Sequence, residues 1–166
     1  MTAATAVLLA VTCAAAAIDV RTRRIPNLLT GAAALAALAV HVPNGAAAVV
    51  LALAAMLAAF TAGSIAFAAG WFGGGDVKLI AACCGFASLP GSIALMLYVL
   101  VAGALLALAT AAARGRLVTL VRSTAALAAH GAPLETTMLV PYGVAIAAGS
   151  FAYAVSTVVP GLRLPL

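Results

Sequence analysis

Three carboxylates make up the whole acidic inventory of this 166-residue chain: Asp19, Asp76 and Glu135. Charges at the ends of apolar runs are expensive and are functional candidates by default. Asp19 closes the run 5–20, just ahead of Arg21, Arg23 and Arg24, and Asp76 follows Gly73-Gly74-Gly75. Glycines permit unusual backbone angles and the close approach of another chain to a side chain. Two facing carboxylates share one proton, because like charges close together cannot both ionise. The ionised member can then take a proton from water as general base while the protonated member polarises a scissile carbonyl. Helix ends suggest a division of roles, with Asp76 at an N-terminus as base and Asp19 at a C-terminus as acid. Simpler readings stand beside these: an i,i+4 ion pair of Asp19 with Arg23, and an N-cap role for Asp76. Glu135 reads as a solvated loop residue or the partner of a nearby arginine. Lys78, two residues past Asp76, reads as an interfacial anchor or counter-charge, with contact to substrate or tuning of Asp76 as the alternative.

The elements that position these residues follow from composition. Eight Lys or Arg and three Asp or Glu give 7% charged residues against 67% hydrophobic, a net charge of +5 and a mean hydropathy of +1.28. Soluble domains carry roughly a quarter charged residues, so the bilayer is the main solvent here. Soluble enzymes, nucleic-acid modules and disulfide scaffolds are excluded. The basic residues are scattered at segment ends and form no long cationic tract, so no nucleic-acid partner is expected. Cys13, Cys83 and Cys84 lie in apolar stretches without CxxC spacing and read as small packing residues, which predicts no metal or cofactor.

Spans are predicted at 5–20, 27–42, 46–70, 76–89, 92–113 and 137–159, an all-α polytopic bundle of six helices in one domain covering 1–166. The first run has no basic residue before it and a basic cluster after it, the arrangement of an uncleaved helix with its N-terminus outside. Pro26 biases Ile25 away from the helix and Asn27 suits an N-cap. The segment 114–135, with Arg114, Arg116 and Arg122 among leucines and valines, has the pattern of an amphipathic helix on an anionic surface. The alanines and glycines read as small residues that let helices approach closely. Six spans place Arg21, Arg23, Arg24, Lys78, Arg114, Arg116 and Arg122 inside and only Arg163 outside, which fixes the orientation by the positive-inside effect. Asp19, Asp76 and Glu135 then share the cytoplasmic side. Span 76–89, at about 1.5 Å per residue, covers roughly 21 Å of a core about 30 Å thick, so Asp76 is expected below the inner interface.

The motifs Asp19 with Arg24-Ile25-Pro26-Asn27, then Gly73-Gly74-Gly75-Asp76-Val77-Lys78-Leu79, then Pro141-Tyr142-Gly143, together resemble the type IV prepilin peptidases. The resemblance implies an aspartic endopeptidase of the bacterial inner membrane that removes the short basic leader of prepilins at the cytoplasmic face. It implies Asp19 and Asp76 as the catalytic pair, with Gly73, Gly75, Lys78, Pro26, Asn27, Pro141 and Gly143 as motif residues. The chain lacks the paired cysteines of the methyltransferase part that larger members carry. It is therefore similar to the short, peptidase-only members of tight-adherence (Tad) Flp pilus systems. The presenilin and signal-peptide-peptidase group shares the GxGD element but differs at Ile18-Asp19 and at Pro141-Tyr142-Gly143. Whatever the family, Pro141 at the start of span six can free a backbone carbonyl and Gly143 allows close packing, so that the site offers hydrogen bonds to an extended substrate; a simple helix kink is the alternative. Two readings of other classes remain, a proton- or cation-coupled transporter and a non-catalytic pilus assembly factor. A transporter would place its acids near the midplane with access from both sides, whereas both aspartates map here to one face.

Overall fold

The computed structural model describes residues 2–115, 118, 141–159 and 161. The described residues form six α-helices and no strand: α1 (Ala3–Thr22), α2 (Asn27–Ala39), α3 (Ala46–Ala68), α4 (Gly74–Ala87), α5 (Gly91–Ala113) and α6 (Tyr142–Val158), with a short 3-10 turn at Val42–Asn44. The all-α membrane bundle expected from composition is the fold observed. In hydrocarbon every backbone N–H and C=O needs an internal partner, and a run of Ala, Leu and Val with no acceptor outside itself meets that demand as a helix. The helices stop where the sequence supplies punctuation. Pro26 caps α2, Gly45 (φ 91°) caps α3, Pro90 caps α5 and Pro141 caps α6. Glu135, His130, Arg116, Arg122 and Arg163 lie outside the described residues, as do most of the segment 114–135 and the beginning of the sixth predicted span.

Three helices, α1, α3 and α5, are long and apolar enough to cross a membrane by length and composition, and α6 is a shorter apolar helix. The other two are short: α2 has 13 residues and α4 has 14, roughly 20 and 21 Å at about 1.5 Å per residue. Helix α4 packs against each of the other five helices. Its stretch from Leu79 to Phe86 is buried without interruption, and Leu79, Cys83 and Cys84 are among the most enclosed side chains. Cys83 and Cys84 thus fill the core, as their apolar context predicts, whereas Cys13 is exposed on α1 and does not. Small residues set how close the helices come. A Cβ on Gly149 of α6 would run into the backbone of Val99 in α5, and a Cβ on Gly85 of α4 would lie 2.6 Å from Met56 of α3 and 3.0 Å from Ala37 of α2.

Two local expectations are corrected. Asn27 is the first residue of α2, and Pro26 occupies the N-cap position with no side-chain cap. Proline in that place presets the chain for a helix start, so the asparagine side chain is released for another contact. Asp76 is not an N-cap either, because α4 begins two residues earlier at Gly74 and Gly73 is the N-cap.

Candidate active site

Asp19 sits in the last turn of α1 and Asp76 in the first turn of α4, and these two helices pack together. The carboxylates come from positions 57 residues apart in sequence, yet antiparallel threading brings each into the electrostatic field of the other. Their surroundings differ. Asp19 is buried, 6% exposed, and its Oδ2 accepts a 2.8 Å hydrogen bond from the backbone N–H of Gly143. Asp76 is half-buried, and its Oδ2 accepts a 3.2 Å bond from the N–H of Gly73. Asp19 is enclosed in the bundle, whereas Asp76 is only part-buried.

The Gly143 bond changes the electrostatic picture drawn from sequence. Gly143 is the second residue of α6, so Asp19 stands at the C-terminus of α1 and at the N-terminus of α6 together. The negative end of one helix and the positive end of the other act on it with opposite sign. Asp76 also sits at a positive helix end. Helix dipoles therefore no longer separate an acid from a base within the pair.

The motif glycines act by absence of bulk. A Cβ on Gly143 would lie 2.9 Å from the Asp19 Cβ and 3.0 Å from its Oδ2. One on Gly73 would lie 2.8 Å from the Asp76 Oδ2, and one on Gly75 would lie 3.3 Å from Ile25. None of Gly73, Gly74 and Gly75 has a positive φ; Gly70, at φ 77°, makes the turn that follows α3. The expectation of unusual angles in the triglycine is thus replaced by close approach. Pro141 stands immediately before the first residue of α6, and its carbonyl accepts the N–H of Val144 at 3.1 Å. Pro141 thus precedes α6 rather than kinking it, and the carbonyl that its missing N–H would free, on residue 137, lies outside the described residues. Of the remaining motif residues, Pro26 is the cap of α2, and Lys78 Nζ donates to Asn27 Oδ1 at 2.9 Å on the far side of α4 from Asp76.

A model of the type IV leader peptidase family matches residues 6–108. The chain belongs to that family. The matched stretch holds both aspartates, the triglycine, Pro26, Asn27 and Lys78, and ends before Pro141. Comparison with curated proteins and with solved structures gave no match. Membership makes this leader peptidase homologue a peptidase of the membrane, in agreement with its apolar helices.

Two neighbours of the pair were not singled out from sequence. Tyr142 stacks edge-on against Phe72, with ring centroids 5.0 Å apart, and a Cβ on Gly103 of α5 would meet its hydroxyl at 2.6 Å. One tyrosine therefore ties α6 to α5 and to the loop before α4, next to the residue whose N–H holds Asp19. The Pro-Tyr-Gly sequence was the available signal, but its contacts are with residues tens of positions away. Among the described residues no three of His, Cys, Asp and Glu gather as a metal-binding group.

Proposed function

We propose that Asp19 and Asp76 form an aspartic dyad that cleaves the leader of type IV, Flp-type prepilins at the cytoplasmic face of the bacterial inner membrane. The observation that carries this reading is the convergence of the two carboxylates at one end of the bundle, with Asp19 fixed by the Gly143 N–H. Family membership supplies the reaction class, hydrolysis of a leader peptide bond.

In the first step one carboxylate takes a proton from a water molecule while the other, protonated, donates a hydrogen bond to the scissile carbonyl. The water oxygen bonds to the carbonyl carbon, and the second carboxyl transfers its proton to the carbonyl oxygen, giving a neutral gem-diol. The proton taken from water then moves to the amide nitrogen as the carbon–nitrogen bond breaks. A diol hydroxyl returns its proton to the other carboxylate, leaving a carboxylic acid product, an amine product and a singly protonated dyad. No charge is created or lost over the cycle. The half-buried Asp76 gives the substrate access, while the buried, hydrogen-bonded Asp19 supplies the fixed reference for its position.

The test is co-expression with the candidate Flp-type prepilin of the same genome, following leader removal by mass for wild type, Asp19→Asn and Asp76→Asn at matched membrane levels. Cleavage is expected in wild type and is expected to vanish in both variants. Cleavage that survives either substitution defeats the dyad. No cleavage of any prepilin by the wild type would move the weight to coupled transport or to a non-catalytic role in pilus assembly.

A further inference from the structure

Helix α4 presents Asp76 to one side and Lys78 to the other. At 3.6 residues per turn, positions two apart are separated by about 200° around the helix axis. Lys78 is exposed in a helix that is otherwise buried from Leu79 to Phe86, and its partner is a neutral group, the Asn27 carboxamide. Lysine only donates, so the atom facing it is the Asn27 oxygen. Lys78 and Asn27 together form a polar mouth on this side of α4, away from Asp76.

Below that mouth runs a groove of about 350 Å³ between α2, α3 and α4, lined by Thr30, Gly31, Ala34, Leu57 and Phe60 among others. From Asn27 to Ala34 the α2 wall descends seven residues, roughly 10 Å at about 1.5 Å each. The groove is polar and cationic at the surface end and apolar along its depth. That gradient matches an amphiphile with an anionic head and a hydrocarbon tail, the chemistry of the leaflet in which this end of the bundle lies.

We propose that this groove is a binding site for one anionic phospholipid, with its phosphate on Lys78 and Asn27 and an acyl chain along Gly31, Ala34 and Leu57. The phosphate completes the charge of a lysine whose hydrogen-bond partner among the described residues is neutral, through charge-assisted hydrogen bonds. The acyl chain fills the space that Gly31 leaves open, where an added Cβ would meet no atom within 4 Å. The bound lipid then bridges α2 and α4, the two short helices, and steadies the N-terminus of α4 on the side away from Asp76.

The test is native mass spectrometry of the full chain released from nanodiscs of phosphatidylglycerol or of phosphatidylcholine. Wild type is expected to retain one phosphatidylglycerol and no phosphatidylcholine. Lys78→Gln is expected to lower that retention about fivefold or more, the scale of one basic contact at a membrane surface, while Lys78→Arg keeps it. Gly31→Leu leaves the cation in place and fills the groove, and is also expected to lower retention. Inorganic phosphate in millimolar excess is expected not to displace the lipid. Equal retention in Gly31→Leu and wild type, equal retention of both lipids, or displacement by free phosphate would each overturn the proposal. Lipid retention is read without any substrate, so it stands or falls separately from the peptidase reading.

Discussion

Gly143 is where backbone and chemistry meet, because its N–H is the donor to Asp19 and its missing Cβ is the space the Asp19 side chain occupies. Gly143→Ala puts a methyl group 2.9 Å from the Asp19 Cβ, closer than real carbon contacts allow, so the carboxylate or the start of α6 must move. A displacement near 1 Å at a catalytic group costs on the order of a hundredfold in rate. Leader cleavage by Gly143→Ala is therefore expected to fall by about that factor, with membrane level unchanged. A time course of cleavage against wild type checks it, and a rate within twofold would show that the Gly143 contact does not position the pair. At this scale the aspartates were legible in the sequence because acids are so scarce. The hydrogen bond that fixes Asp19 was not, since it spans 124 residues and no local pattern encodes it.

Helices α5 and α6 meet at Gly149, where a side chain would collide with the backbone of Val99 rather than with a flexible group. Backbone cannot yield by rotating a torsion, so Gly149→Val must push the helices apart. Overpacking of this kind costs about 1–3 kcal/mol, and the α5–α6 seam also carries Tyr142 over Gly103. The expected outcome is a lower unfolding midpoint in detergent, whereas Gly31→Ala, made in open space, leaves the midpoint unchanged or raised. A thermal melt of both variants beside wild type decides between a packed seam and a loose one. Element identity was legible because apolar runs and Pro or Gly punctuation coincide: α3 and α5 end within two residues of the expected positions. The details at helix starts were not. Asn27 has the chemistry of a cap but follows a proline that takes the place, and its side chain is claimed by Lys78 from another helix.

Across the whole molecule, the ends of α1, α2, α4 and α5 that carry Asp19, Arg21, Asn27, Asp76, Lys78 and Arg114 belong to one side if the helices alternate through the bilayer. The opposite connection, from Val40 to Gly45, carries no Lys or Arg. The proposed orientation rests on that asymmetry, because basic residues resist translocation. In that proposal the site's compartment is a consequence of charge rather than of the aspartates themselves. Asn44, in the 3-10 turn, and Trp71, which is 54% exposed in the loop before α4, mark the two sides. Cys83 and Cys84 are buried, and Cys13, although exposed, lies midway along the candidate span α1, away from either aqueous face, so the native cysteines give a low background for labelling by a membrane-impermeant reagent. In intact cells a membrane-impermeant maleimide is expected to label Asn44→Cys. Trp71→Cys is expected to stay unlabelled until the membrane is permeabilised. The reverse pattern would turn the aspartates outward, and a peptidase acting on leaders before export would then have its dyad on the wrong side of the membrane.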